Sequence, residues 1–161
     1  MLAVSTEAPT FTAPVVGDDI GEIDLTDRLE EKAPIVLVFF PGPFTEVCTN
    51  ELVTFRDGLE AFEAVDATVY GVHTDTPGSL QAFRERHDFD FGLISDTSRE
   101  IVEAYDVRAD FDAFGVYDVP DRAVYIIDGD GRIAYAWVAD DPATEPDYDV
   151  LQNAVQDAAE A

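Results

Sequence analysis

The sequence predicts an α/β fold, a mixed central β-sheet flanked by helices, with a β extension at its N-terminal end. Three observations carry this. Ile35-Val36-Leu37-Val38-Phe39-Phe40 is a continuous apolar run, suited to a strand buried on both faces. Past Pro41-Gly42-Pro43 the pattern changes, and Cys48, Leu52, Phe55, Leu59 and Phe62 recur at steps of four and three, one face of a helix. Strand and helix patterns then alternate until a closing hairpin and helix. The 161 residues suit one domain over 1–161, long enough to bury a sizeable core.

The elements follow in order. Residues 11–25 set apolar positions around Gly17-Asp18-Asp19 and Gly21 and read as a short opening hairpin. Ala67 to Val72 reads as a second buried strand, and Ser79 to His87, after Pro77-Gly78, as a helix with Leu80 and Phe83 inward. Phe91 to Ile94 is a third strand and Ser98 to Tyr105 a short helix. Val107 to Pro120 shows no clean period, and its Phe111, Phe114, Val116 and Tyr117 read as a flap, a lid or a dimer contact. Ala123 to Ile127 and Ile133 to Val138 are strands joined at Asp128-Gly129-Asp130-Gly131, whose residues suit a tight turn. A last helix runs from Tyr148 to Ala159.

Composition narrows the function. With 35 acidic against 9 basic residues the formal net charge is −26, a field that opposes binding to nucleic acid and to anionic membranes. The acids are spread along the chain, not blocked into a tail, which argues against a dedicated site for cationic ligands. Lys32 is the single lysine beside eight arginines. Such a surface suits a protein working in concentrated salt, where the Debye length shrinks to about 3 Å at 1 M, as in a halophile. No basic start followed by an apolar run resembles a signal peptide, no stretch approaches a membrane span, and one cysteine forms no intrachain disulfide. The expected location is the cytoplasm.

The chemistry concentrates in Phe40-Pro41-Gly42-Pro43-Phe44-Thr45-Glu46-Val47-Cys48-Thr49-Asn50-Glu51-Leu52, which joins a buried strand to an amphipathic helix. Open α/β sheets bind ligands at the carboxyl ends of their strands. Thr45 suits an N-cap and Glu46 the first helical position, which puts Cys48 in the first turn, near unpaired N–H groups that favour a thiolate. Position alone leaves two readings open: a reactive thiolate, or a small buried hydrophobe on the apolar helix face.

Four segments in order bear a family resemblance: Ala8-Pro9-x-Phe11, Pro41-x-x-x-Thr45-x-x-Cys48, the stretch GVHTDTPGSLQAFRERHDFDFGLISD, and RAVYIIDGDGRI. Together they resemble the peroxiredoxins (alkyl hydroperoxide reductase / thiol-specific antioxidant), and PGPFTEVCTNEL resembles the one-cysteine, bacterioferritin-comigratory-like members. The resemblance implies a thioredoxin-like fold and a thiol-dependent peroxidase acting on hydrogen peroxide or alkyl hydroperoxides. It assigns Cys48 as the attacking thiolate, Thr45 as its hydrogen-bond partner, Pro41 as its shield from water, Arg122 as the cation beside it and Glu51 as a carboxylate orienting arginines. Without the resemblance Arg122 reads as a surface charge at a strand start; Arg108 and Arg132 are weaker candidates for the cation.

Where many relatives carry a second, resolving cysteine, this chain has none; Val53 stands where some bacterioferritin-comigratory members place it. An external thiol, small or thioredoxin- or glutaredoxin-like, is therefore the expected reductant. The same cysteine would serve a peroxide sensor relaying oxidation to a partner. A thioredoxin-type oxidoreductase needs Cys-x-x-Cys, and Thr45 and Glu51 flank Cys48 at that spacing. His73 and His87 have no cysteine partner nearby, so no metal and no cofactor is expected.

Overall fold

A computed structural model describes residues 1–160. Its elements are β1 (Thr12–Val16), β2 (Ile20–Asp24), α1 (Leu25–Glu31), β3 (Ile35–Phe39), α2 (Glu46–Asp57), α3 (Leu59–Glu63), β4 (Thr68–His73), α4 (Pro77–Arg86), β5 (Gly92–Ser95), α5 (Glu100–Ala104), β6 (Arg108–Phe111), a 3₁₀ turn (Asp112–Phe114), β7 (Val116–Pro120), β8 (Ala123–Ile127), β9 (Ile133–Val138) and α6 (Tyr148–Glu160). Seven strands form one sheet in the order β2-β1-β5-β4-β3-β8-β9. β3 pairs parallel with β4, and β4 with β5, while β3–β8, β8–β9, β1–β2 and β1–β5 are antiparallel. The expected mixed sheet and opening hairpin are both present.

The apolar run of β3 is explained by its central place. All five of its residues are fully buried, and successive side chains serve opposite cores. Val36, Val38 and Phe40 meet Leu52, Phe55, Phe83 and Leu151 from α2, α4 and α6. Ile35, Leu37 and Phe39 meet Leu25, Ile101 and Tyr105 on the other face. Gly71 on β4 is required by this packing: a Cβ there would lie 2.6 Å from Leu93 Cδ2 and 3.2 Å from Phe40 Cε1.

The expected helix spanning Cys48 to Phe62 is in fact two. α2 ends at Gly58, whose φ of −99° and ψ of 10° leave the helical region, and α3 resumes at Leu59. Glycine is the weakest helix former after proline, so the break falls there. The apolar face survives it, since Leu52, Phe55, Leu59 and Phe62 are all buried.

Val107–Pro120 is a second correction. β6 and β7 pair as an antiparallel two-stranded sheet with a register shift between Ala109 and Phe111. Positive φ at Gly115 and Asp118 and the 3₁₀ turn interrupt the alternation, which hides the strands from a period count. No helix among the described residues is long and apolar enough to cross a membrane.

Candidate active site

Sheet register builds the site. β3 and β8 pair with Phe39 opposite Ala123, so the residues just beyond, Phe40-Pro41 and Arg122, emerge side by side at one edge of the sheet. The chain then turns through Pro41 to Thr45, with Phe44 in the left-handed region at φ 64°, and enters α2. Cys48 is its third residue, in the turn whose N–H groups lack helical partners. Glu51 follows three residues later on the same face.

Arg122 joins them. Its Nη2 donates to Cys48 Sγ at 3.3 Å and its Nη1 to Glu51 Oε1 at 3.2 Å. Nε and Nη2 both donate to the Pro142 carbonyl, at 3.0 and 2.9 Å, which fixes the plane of the guanidinium. Cys48, Glu51 and Arg122 are all at most 2% exposed. Burial opposes the charge on Arg122, yet Glu51 and Cys48 more than offset it and hold the guanidinium above its ordinary value. Burial pushes Glu51 up to about 8, against the pull of Arg122.

The other predicted residues divide. Pro41 lies in the wall beside Cys48, over a cavity of about 700 Å³. Thr45 lines the same cavity, but its hydroxyl donates to the Gly42 carbonyl at 2.7 Å and touches neither the sulfur nor a helix N–H. It therefore occupies the N-cap position without capping, because the tight Pro-Gly-Pro-Phe loop captures the hydroxyl first. Arg108 pairs with Asp118, and Arg132 donates to the Ser5 carbonyl, so neither serves the thiol. Val53 packs, half-buried, against the core.

Two groups escaped the sequence reading. Pro142 acts through its carbonyl, which no side-chain pattern reveals. His73, the last residue of β4, is buried; its Nδ1 accepts from Asp75 N at 2.9 Å, so its Nε2 carries the proton and donates to the Pro41 carbonyl at 2.9 Å. Its ring stacks on Phe40 with centroids 5.2 Å apart. A histidine ending a buried strand beside the catalytic loop was the available signal. Opposite this wall the β6–β7 hairpin lines the cavity with Phe111, Phe114, Val116 and Val119.

A buried thiol held by a guanidinium at the head of a helix, on a thioredoxin-like sheet, defines a thiol-dependent peroxidase. The AhpC/TSA family profile matches residues 4–136, and the chain belongs to that family, the peroxiredoxins, as a one-cysteine member. It is 31% identical to peroxiredoxin Bcp of Escherichia coli K12 over 154 residues, 94% of each chain. Over 104 residues it is 36% identical to peroxiredoxin Bcp of Bacillus subtilis, covering 64% of this chain and 66% of that one. The reduced 2-Cys peroxiredoxin of Plasmodium vivax superposes with a TM-score of 0.83 at 26% identity, over 96% and 94% of the two chains. BcpB of Mycobacterium tuberculosis shares the fold at a TM-score of 0.81 and 22% identity, over 98% of each chain.

Proposed function

We propose that Cys48 reduces hydrogen peroxide and alkyl hydroperoxides, and that Arg122 is the group that makes it able to. The 3.3 Å contact between Arg122 and the sulfur at the cavity floor carries this reading. The Cys48 thiolate attacks the terminal peroxide oxygen in line. An S–O bond forms, the O–O bond breaks, sulfur gives up two electrons, and the leaving alkoxide or hydroxide takes a proton to become alcohol or water. The guanidinium cannot deprotonate, so it stabilises the thiolate at the start and the oxyanion as it departs. Pro41, anchored by His73, keeps water from the sulfur, and Thr45 stands at the cavity rim to meet the peroxide.

Because Cys48 is the sole cysteine, the sulfenic acid is returned to thiolate by an external thiol, a small molecule or a thioredoxin- or glutaredoxin-like protein entering by the same cavity. The protein works in the cytoplasm, and two copies pair through the exposed Phe114 and Tyr117 of the β6–β7 hairpin. Stopped-flow mixing with hydrogen peroxide, followed by mass spectrometry of Cys48, tests the chemistry. Sulfenic acid forming no faster than on free cysteine overturns it, and a monomer by light scattering in concentrated salt overturns the pairing.

A further inference from the structure

Glu51 is fully buried, and only one of its two carboxyl oxygens has a partner. Oε1 accepts from Arg122 at 3.2 Å, while Oε2 is enclosed with no hydrogen-bond partner. A buried carboxylate with one bare oxygen is costly; a carboxylic acid there costs less, because its O–H, though also without a partner, carries no charge. The same guanidinium holds Cys48 Sγ at 3.3 Å. One positive charge thus faces two acidic groups, and ionising both would leave an uncompensated negative charge in the interior.

The other charges facing Glu51 deepen this. Glu145, in the loop before α6, adds like charge and raises Glu51 further, and Tyr148 on α6 bonds Glu145 at 2.7 Å. Burial and Glu145 together outweigh Arg122, in line with a carboxyl raised to about 8.

We propose that Glu51 and Cys48 share the single charge of Arg122 by turns, Glu51 being a carboxylic acid while Cys48 is a thiolate and a carboxylate once Cys48 is a sulfenic acid. This rests on the peroxidase reading. Oxidation removes the thiolate charge, so Arg122 loses its anion and draws the proton off Glu51. The leaving alkoxide consumes one proton and Glu51 releases one, and the medium supplies none. Reduction by two external thiols gives disulfide, water, the Cys48 thiolate and one proton, which returns to Glu51. Glu51 is in this sense a positioning residue that acts through Arg122, setting the proton count of each half-reaction.

The proton count is measurable. The full-length protein, reduced and at near-neutral pH in weak buffer with a pH indicator, is mixed with hydrogen peroxide while Cys48 oxidation is followed by mass spectrometry. The wild type is expected to take up almost no protons per Cys48 oxidised, and the Glu51→Gln variant one. In infrared difference spectra the wild type should lose a protonated-carboxyl C=O band on oxidation; this readout serves alone if Glu51→Gln fails to fold. Equal proton uptake in the two proteins with Cys48 oxidised, or no loss of that band, overturns this proposal alone. A Cys48 that peroxide leaves unchanged overturns the peroxidase reading and this proposal with it.

Discussion

Arg122 meets Cys48 across 74 residues of chain, its Nη2 lying 3.3 Å from the sulfur while three further bonds tie it to Glu51 and the Pro142 carbonyl. Glu51 and Pro142 thereby hold the guanidinium, and its orientation does not depend on the thiol. Such a donor is set before the peroxide arrives, and it loses no free energy to reorganisation during the reaction.

Arg122→Ala is expected to slow sulfenic acid formation by about 10²- to 10³-fold, the usual effect of removing one oxyanion donor. Arg122→Lys should recover little of this, because an ammonium cannot fork between Pro142, Glu51 and Cys48. Stopped-flow rates on proteins with unchanged far-UV circular dichroism decide the point. A wild-type rate in either variant sinks the assignment.

His73 donates to the Pro41 carbonyl in either protonation state, but the bond from Asp75 N that holds its ring in place needs a neutral Nδ1. Burial holds its pKa below the ordinary imidazole value, with Arg99 acting in the same direction and the Pro41 carbonyl and Asp75 opposing it. Below that lowered value Nδ1 takes a proton and the bond from Asp75 N is lost. The sign for stability follows: the contribution is complete above the ordinary imidazole value and is lost as pH falls through the lowered one. The urea midpoint and the oxidation rate should both fall with acid in the wild type. His73→Gln keeps a donor and an acceptor without titrating, so the share of the acid limb that belongs to His73 should disappear. His73→Leu frees Pro41 and should slow oxidation by about ten- to a hundredfold at neutral pH.

Phe114 is 75% exposed at the mouth of a cavity far larger than hydrogen peroxide. Phe114→Ala should therefore cost the fold of each copy little stability, though it weakens the proposed pairing, and lower kcat/KM for a bulky aryl hydroperoxide by about tenfold while leaving hydrogen peroxide unchanged. Equal losses on both substrates would mean that the hairpin acts on the thiol site as a whole.

The charge of −26 predicts a protein stabilised by salt. Raising the salt from about 0.1 M to 1 M shortens the screening length from about 10 Å to 3 Å and relieves self-repulsion. The thermal midpoint should rise over this range; a midpoint that falls in sodium or potassium chloride argues against the saline setting.

What the sequence determined by itself is local. The β3 run, the change of period at Thr45 and the absence of a second cysteine placed Cys48 at a helix start and made it dependent on a foreign thiol. Arg122 illustrates the limit, since its residue pattern alone suits a surface charge and only the family motif singled it out. The tertiary structure decided the rest through long-range pairing. The β3–β8 register buries Arg122 against the sulfur, and β4 brings His73 beneath Pro41. The loop before α6 contributes a backbone carbonyl that no side-chain pattern encodes. Thr45 shows the converse: its motif position was legible, but the geometry of the loop gave its hydroxyl to Gly42. The proposed reactivity of Cys48 rests on where β8 and the Pro142 loop converge, and convergence of distant segments has no period to read.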